Sequence, residues 1–178
     1  YYYYGGRVLV SFGLIMAVYH GDDIGDVVFT LDTLSSLTLD EVIIVQDGPV
    51  EKDMKQVILN FSHKNLRFVE LKQNSGLGAA LKEGVLSLKS DYFFRIDAGD
   101  ILFAGEIQKT KNIIVEKNLD LLGGQMAEHL LDYNVPENIR GVPLSKSKLQ
   151  AFAKLRNPFN HITICARREA VLQAGNYN

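Results

Sequence analysis

Two aspartates, Asp97 and Asp100, are the residues whose type and position most strongly indicate chemistry. They follow the apolar segment 92–96, and a short run of this kind is typical of a strand buried on both faces. In an open parallel sheet, ligands bind beyond the carboxyl ends of the strands, where these carboxylates would lie. Their hard oxygen atoms favour Mg²⁺ or Mn²⁺ on nucleotide phosphates rather than zinc. The alternative is a turn in which one aspartate only caps the segment that follows.

Three further segments follow predicted strands and would meet the acidic turn at the same edge of the sheet. Tyr19 ends the first strand and can stack on a base, and Asp47 can accept hydrogen bonds from a base or a ribose hydroxyl. The glycine-bearing loop 74–78 opens a predicted helix and can offer backbone N–H groups to negative charge. The structural alternatives are a half-buried aromatic residue at Tyr19 and an ordinary Asp-Gly-Pro turn at Asp47.

Motifs for several other kinds of site are absent from the sequence. Gly76-Leu77-Gly78 is too short to be a dinucleotide fingerprint, and no Walker-type lysine motif occurs. His20 and His161 fall in loops near the predicted site, but no cysteine or histidine stands at metal-ligand spacing from either. The sequence therefore does not indicate a nicotinamide cofactor, a P-loop or a zinc centre.

Strands and helices alternate through the first half of the chain. The apolar patterns predict strands at 13–18, 41–45, 66–71 and 92–96, with helices at 26–37, 54–61 and 77–88 between them. This rhythm is typical of right-handed βαβ units. The predicted fold class is α/β, with a mainly parallel sheet and helices on both faces in a doubly wound, Rossmann-like arrangement.

The pattern changes after the acidic turn. A helix is predicted at 107–115, a strand at 119–126 with a bulge or close backbone approach at its glycines, and a second helix at 145–155. Residues 128–143, with Tyr133, Pro136 and Gly141 as turn formers, are interpreted as a hairpin or a flexible excursion over the site. A short strand is predicted around Cys165.

Composition limits the classes of partner and compartment. The chain has 178 residues and a net charge of −2, which does not suggest a nucleic-acid partner. A lone cysteine cannot form an internal disulfide, which fits a reducing compartment. No apolar run is long enough to span a bilayer, and the tyrosine-rich start lacks the pattern of a signal peptide.

Several motifs, taken in order, resemble the inverting family 2 glycosyltransferases, most closely the bacterial enzymes that build surface polysaccharide. The resemblance extends from about Gly13 to the end of the chain. The motifs are Asp47-Gly48-Pro49, Asn74-x-Gly76-Leu77-x-Ala79-Ala80 with Gly84, Arg95-Ile96-Asp97-Ala98-Gly99-Asp100, Arg156-Asn157-Pro158-Phe159-Asn160-His161 and Ala174-Gly175-x-Tyr177.

The resemblance implies a GT-A fold that binds a nucleotide-diphosphate sugar and transfers the sugar, with inversion, to an acceptor hydroxyl. Base and ribose would lie at Ala17, Val18, Tyr19 and Asp47, and the site floor at Asn74 and Gly76. Arg95 and Asp97 would also bind the nucleotide, Asp97 and Asp100 would hold Mn²⁺ or Mg²⁺ on the diphosphate, and His161 would face the acceptor.

Three departures from the family pattern bear on these expectations. Gly99 stands where the family usually has a second aspartate, and Lys82 where it usually has asparagine. The acidic general base of the family lies beyond a segment like Gly175-Asn176-Tyr177, which here is followed only by Asn178. We therefore expect the general base to lie beyond Asn178, so that this chain is a fragment without its catalytic residue.

The motifs divide the chain into three predicted regions. Residues 1–12 are interpreted as an N-terminal extension or expression remnant. Residues 13–126 would form the donor-binding region, because they contain every motif expected to contact the nucleotide. Residues 127–178 would form the start of an acceptor-side region.

The expected partners are a nucleotide-diphosphate sugar, with UDP favoured over GDP or TDP, and a saccharide or lipid-linked acceptor. The expected location is cytoplasmic, with peripheral contact at the inner face of the cell membrane through segments outside this chain. One alternative is a nucleotide-sugar binding module without catalysis, which Gly99 permits. A nucleotidyltransferase is disfavoured because its glycine- and arginine-rich first loop is missing.

Overall fold

The computed structural model describes residues 3–4, 7–63, 65–129 and 136–178. The strands are β1 Tyr3–Tyr4, β2 Arg7–Val8, β3 Phe12–Val18, β4 Glu41–Gln46, β5 Leu66–Glu70, β6 Tyr92–Ile96, β7 Leu121–Leu122, β8 Met126–Glu128, β9 Asn138–Arg140 and β10 Cys165–Arg167. The α-helices are α1 Ile24–Leu34, α2 Lys52–Asn60, α3 Leu77–Ser87, α4 Ala104–Glu116, α5 Lys146–Phe152 and α6 Arg168–Gln173, and a 3-10 turn spans His161–Thr163.

Six strands form the main sheet, in the order β5-β4-β3-β6-β10-β7. β5, β4, β3 and β6 are parallel to one another, while β10 runs antiparallel to both β6 and β7. β1 pairs with β2 and β8 with β9, each as a separate antiparallel pair. The mainly parallel sheet predicted from the sequence is therefore confirmed.

Alternate residues of β3 enter two different apolar clusters. Leu14, Met16 and Val18 pack with buried residues of α1, α2 and α4, whereas Ile15 packs with buried residues of α3. Apolar residues of α6 add to the second cluster. Helices thus cover both faces of the sheet, and this explains why its central strands have nearly continuous apolar sequences.

The first predicted helix has different boundaries in the structure. α1 ends at Leu34 rather than at residue 37, and Leu37 is buried in the connection that follows, where it mimics a continuing helical pattern. The helix begins earlier than predicted because Asp23 caps it, its carboxylate accepting hydrogen bonds from the N–H groups of Gly25 and Asp26.

The prediction of one strand at 119–126 is wrong, because this segment forms β7 and β8 in different sheets. The chain leaves the main sheet at its glycines, where a Cβ at Gly123 would lie 2.6 Å from Cδ1 of Phe159. The N–H of Gly124 then donates to Oγ1 of Thr163. The close backbone approach expected there is confirmed. α6 was not predicted, since six residues are too few to show helical periodicity.

Residues 128–143, interpreted as a hairpin or a flexible excursion, contain β9, which pairs antiparallel with β8, whereas Tyr133 lies outside the described residues. β10 and α6 come from the predicted acceptor-side region, yet they belong to the main sheet and its helical cover. The division at residue 126 remains a prediction.

Within the described residues, no helix is both long enough and apolar enough to cross a membrane.

Candidate functional site

A cavity of about 360 Å³ opens at the carboxyl ends of β3, β4 and β6; we call it the sheet-edge cavity. Seven of the ten predicted site residues line it: Ala17, Val18, Tyr19, Asp47, Asn74, Gly76 and Asp97. Asp22, Leu77, Ala80 and Ala98 complete the lining and were not predicted as site residues. Arg95, Asp100 and His161 do not line this cavity.

A glycine at the end of β4 lets two loops approach each other at the cavity. Gly48 has a φ of 82°, and a Cβ there would collide with the backbone nitrogen of Asn74. Any other residue would therefore be strained and would push the 73–76 loop away. The Asp-Gly-Pro sequence is thus more than an ordinary turn, because it sets how closely the glycine loop approaches β4.

Asp47 is a buried residue of the cavity lining and is held by the glycine loop. Its Oδ1 accepts a hydrogen bond of 2.7 Å from the N–H of Ser75, and its Oδ2 one of 2.8 Å from the N–H of Gly76. These two amides, which we expected to face a ligand's negative charge, are therefore already engaged. Each carboxylate oxygen can accept a further hydrogen bond, so Asp47 is a fixed acceptor for the N–H or O–H groups of a ligand.

Tyr19 and Asp22 form the wall of the cavity that follows β3. The N–H of Tyr19 donates to Oδ2 of Asp22 at 2.9 Å, which fixes the backbone of the connection to α1. Burial raises the pKa of Asp22, partly offset by this hydrogen bond, and the nearby Asp26 raises it further. Tyr19 keeps 42 % of its surface exposed, so its ring remains accessible to a planar ligand.

The acidic turn after β6 is fixed to the first helix by a buried threonine. Oγ1 of Thr30 accepts the N–H of Gly99 at 2.9 Å and lies 3.1 Å from the backbone oxygen of Asp100, to which it donates. Gly99 has a φ of 84°, a conformation that favours glycine, so an aspartate at this position would strain the backbone of the turn as it stands here. The position of this turn therefore depends on α1.

A buried arginine lies directly behind the acidic turn. The guanidinium of Arg95 donates to Oδ1 of Asp97, and its Nε has no hydrogen-bond partner among the described residues. Burial lowers the pKa of Arg95, while nearby Tyr177 and Asp100 raise it. Burial also raises the pKa of Asp100, against the opposing charge of Arg95. Arg95 thus interacts with both aspartates of the turn. Asp97 lines the cavity, whereas Asp100 does not.

The described residues contain no group of three or more His, Cys, Asp or Glu side chains that could hold a metal ion. The side chain of Asp97 is 41 % exposed at the cavity, and only its Oδ1 is engaged by Arg95. Mg²⁺ is commonly bound through one or two carboxylates together with substrate phosphates. The site therefore fits a divalent ion that shares its coordination with a diphosphate, and does not fit a cage made of protein ligands alone.

His161 belongs to a half-buried cluster beside Arg95. Its Nε2 lies 3.1 Å from the hydroxyl of Tyr177, within hydrogen-bond distance. Burial, together with repulsion by Arg95, lowers the pKa of His161 to about 4, and burial raises the pKa of Tyr177. The imidazole is therefore neutral near neutral pH. Tyr177 belongs to a predicted motif, but its place beside Arg95 could not be inferred from that motif.

The last residues of the chain pack on the first half of α3, a contact that was not predicted. The side-chain amide of Asn176 donates to the backbone oxygen of Lys82 at 3.3 Å. The backbone oxygen of Asn178 lies so close to Gly78 that a Cβ at this glycine would collide with it. Asn178 is thus beside the helix that the glycine loop opens, although it does not line the sheet-edge cavity. The general base expected beyond Asn178 remains a prediction.

The mainly parallel sheet, with a cavity at the carboxyl ends of its strands, defines an α/β domain of the GT-A type. The chain belongs to glycosyl transferase family 2, whose model matches residues 14–175.

Curated relatives carry related names. An uncharacterized glycosyltransferase of Haemophilus influenzae is 37% identical over 140 residues, which are 78% of this chain and 52% of that protein. The amylovoran biosynthesis glycosyltransferase AmsE of Erwinia amylovora is 29% identical, over 93% of this chain and 63% of its own length. The UDP-Gal:alpha-D-GlcNAc-diphosphoundecaprenol beta-1,3-galactosyltransferase of Escherichia coli is 27% identical, over 94% and 62%. The chain thus spans between about half and two thirds of these relatives.

Solved structures share the fold at lower identity. TarS 1-349 of S. aureus, in complex with UDP-GlcNAc, superposes with a TM-score of 0.69 at 19% identity, over 94% of this chain and 48% of the TarS 1-349 chain. The mannosyltransferase PcManGT of Pyrobaculum calidifontis, in complex with GDP-Man and Mn²⁺, gives 0.66 at 11% identity, over 94% and 47%. Both comparisons support the α/β architecture described above.

Proposed function

We propose that this chain binds the donor of an inverting glycosyltransferase, which transfers a sugar from a nucleotide-diphosphate sugar to an acceptor hydroxyl during surface polysaccharide synthesis. The observation that carries the proposal is the sheet-edge cavity, where Tyr19, Asp47 and Asp97 come together from three strand ends. Family membership supports the reaction class, and the AmsE relative supports the polysaccharide context.

In the proposed complex, the base stacks on Tyr19 near Ala17 and Val18. Asp47 accepts a hydrogen bond from the base or ribose, and Asn74 and Gly76 form the floor. A UDP-sugar is the proposed donor, since TarS was solved with UDP-GlcNAc and the Escherichia coli relative is named for UDP-Gal. The anchored Asp47 favours a ligand donor in a fixed place, because its carboxylate cannot rotate without losing two amide hydrogen bonds.

A divalent ion, Mn²⁺ or Mg²⁺, is proposed to bind through Asp97 together with the donor's diphosphate. Such an ion stabilises the negative charge that develops on the leaving nucleoside diphosphate. Arg95 holds one oxygen of Asp97 and adds a buried positive charge close by. Asp100 remains a proposed contributor through its position in the same turn, although it does not line the cavity.

The proposed acceptor is a saccharide or a lipid-linked saccharide, with His161 on the acceptor side. The name of the Escherichia coli relative includes a diphosphoundecaprenol-linked sugar, which supports a lipid-linked acceptor. A lipid-linked acceptor would place the protein in the cytoplasm at the inner face of the membrane. The second candidate function is a nucleotide-sugar binding module without catalysis. Gly99 favours this alternative, because with glycine at this position Asp97 is the only aspartate of the turn in the cavity lining.

Isothermal calorimetry with UDP, GDP and TDP, each with and without Mn²⁺, tests the donor assignment. We expect UDP to bind most tightly, Mn²⁺ to strengthen its binding, and Asp97→Asn to remove most of the Mn²⁺ effect. Glu116→Gln is the matched control, because it removes an exposed carboxylate at the end of α4. An Mn²⁺ effect that survives Asp97→Asn would refute the metal assignment, and the absence of nucleotide binding would refute the donor site.

A transfer assay separates the two candidate functions. We expect UDP to be released from a UDP-sugar at a higher rate when an undecaprenyl-diphosphate saccharide is added. Tight binding of the UDP-sugar without any acceptor-dependent release would favour the binding module.

A further inference from the structure

Positive charge is concentrated in one part of this nearly neutral chain. Residues 138–168 contain no aspartate or glutamate, although the whole chain carries a net charge of −2. The same stretch contains seven cationic residues: Arg140, Lys146, Lys148, Lys154, Arg156, Arg167 and Arg168. No basic surface was expected from the total charge. The local sequence nevertheless contains a basic stretch.

Helix α5 and its flanks place four of these cations on one exposed segment, residues 144–156, which we call the α5 surface. Lys146, Lys148, Lys154 and Arg156 are all exposed. None of the four forms an ion pair with any part of the chain that the structure describes. Their charge is therefore available to an external anionic partner.

The same surface exposes two large apolar side chains. Leu144 is 85% exposed and Leu155 is 86% exposed, the largest values among the exposed large hydrophobic residues described. Leu149 and Phe152 of α5 are half-buried, and the guanidinium of Arg156 lies 4.5 Å from the Phe152 ring centre. The two leucines that flank the helix are thus more exposed than its own large apolar residues.

We infer that the α5 surface binds the headgroups of an anionic lipid bilayer, with Leu144 and Leu155 entering the boundary between headgroups and acyl chains. A surface segment that combines exposed lysine and arginine with exposed leucine, as residues 144–156 do, is suited to such an interface. A second copy of the chain would bring like charges together, which opposes self-association through this surface. Nucleic acid is less well matched, because the one aromatic ring of the segment, Phe152, is half-buried beneath Arg156.

The α5 surface is connected along the chain to the proposed acceptor side of the site. α5 ends at Phe152, and the chain then runs to Asn160, whose amide donates to the backbone oxygens of Arg140 and Gly124. His161 follows directly and contacts Tyr177. The α5 surface, to which the bilayer would bind, is therefore close in sequence to His161, the proposed acceptor-side residue. Only this consequence rests on the proposed function; lipid binding itself does not.

Sedimentation with vesicles tests the inference. We expect the protein to bind vesicles of phosphatidylcholine with about 30 mol% phosphatidylglycerol, to bind pure phosphatidylcholine poorly, and to be released as salt rises from about 0.1 M to about 0.5 M. Lys148→Gln with Lys154→Gln should weaken binding about 25-fold, at about fivefold for each charge. Leu144→Ser with Leu155→Ser should weaken it about tenfold.

The matched control is Lys52→Gln with Lys117→Gln, which removes two exposed charges at other helices and should leave vesicle binding unchanged. Equal losses in the control and the α5 variants, or no preference for anionic vesicles, would overturn the inference. Analytical ultracentrifugation of the same variants would overturn it in favour of a second copy if the α5 changes abolish a dimer. UDP binding, measured on each variant, reports separately on the proposed donor site.

Discussion

Asp47 shows how a single residue can serve both the fold and the proposed ligand. Its two oxygens accept N–H groups from residues 28 and 29 positions further along the chain, so one carboxylate fixes the loop that opens α3. A buried charge of this kind is tolerated because two charge-assisted hydrogen bonds satisfy it. Its effect on ligand binding is therefore inseparable from its effect on the loop.

We expect Asp47→Asn to lower the free energy of unfolding by roughly 1–3 kcal/mol, because the amide group of asparagine would face a backbone N–H with no acceptor to offer. UDP affinity should fall as the loop loosens. Urea denaturation and calorimetry measure the two effects. Asp53→Asn, at an exposed position in the first turn of α2, is the control and should lower stability by less than about 1 kcal/mol and leave UDP affinity unchanged. An unchanged stability would show that the two amide hydrogen bonds contribute little.

His161 should make the stability of the protein depend on pH. Its pKa in the folded state, about 4, lies below the ordinary value of 6.5, so the unfolded chain binds a proton more readily. The contribution of the neutral imidazole to stability is therefore complete above about pH 6.5 and is lost as the pH falls through about 4.

We expect His161→Gln, which can still hydrogen-bond to Tyr177, to lose less stability than the natural chain between about pH 7 and pH 4. The difference should be about 1–2 kcal/mol, a value reduced for the partial exposure of the ring. Urea denaturation at several pH values measures it. Parallel pH profiles for the two proteins would contradict the prediction.

At the scale of secondary-structure elements, α1 determines the position of the acidic turn. Thr30 is fully buried in the middle of this helix and bridges the N–H of Gly99 and the carbonyl of Asp100. These contacts join residues about 70 positions apart. The helix therefore controls where Asp97 sits, although it contributes no residue of its own to the cavity lining.

We expect Thr30→Val, which keeps the side-chain volume but removes the hydroxyl, to cost roughly 1–3 kcal/mol and to weaken the Mn²⁺-dependent part of UDP binding. Thr33→Val on the same helix is the control, because the hydroxyl of Thr33 donates only to the backbone oxygen of Thr30. Equal effects of the two substitutions on the Mn²⁺-dependent binding would show that the acidic turn is positioned by something else.

At the scale of the whole molecule, Cys165 can be used to detect opening of the main sheet. It lies on β10, which joins the parallel strands to the edge strand β7. The thiol is buried, and burial raises its pKa to about 12, partly offset by Lys111. A thiol of this kind reacts only when the protein opens, since the thiolate is the reactive form. The unfolded chain, with its ordinary thiol pKa, is also favoured as the pH rises from about 9 towards 12.

We expect a thiol reagent at about pH 8 to modify the native protein no faster than the protein unfolds, and to react at once in urea. Absorbance kinetics with a chromogenic disulfide measure the rate. UDP and Mn²⁺ should slow the reaction by stabilising the folded state. Rapid modification of the native protein would show that the β6–β10 edge opens locally.

The order of strands and helices in the first half, and the sheet edge at which the site forms, could be predicted from the sequence. Apolar periodicity is a local property, and the carboxyl-end rule then brings Tyr19, Asp47 and Asp97 together. The second half was predicted less well, because β7, β8 and α6 are shorter than the window over which a period can be recognised. The packing of Asn178 against Gly78 likewise joins residues 100 positions apart, which no local pattern relates.

Sequence alone determined the fold class, the family and most residues of the cavity lining, since these depend on short patterns and on their order. Only the tertiary structure decided how the polar groups are partnered: Asp47 with the glycine loop, Arg95 with Asp97, and His161 with Tyr177. It also decided that Leu144 and Leu155 stay exposed beside exposed lysines. The physical reason is that hydrogen bonds and burial depend on which segments meet in space, which a local pattern does not specify.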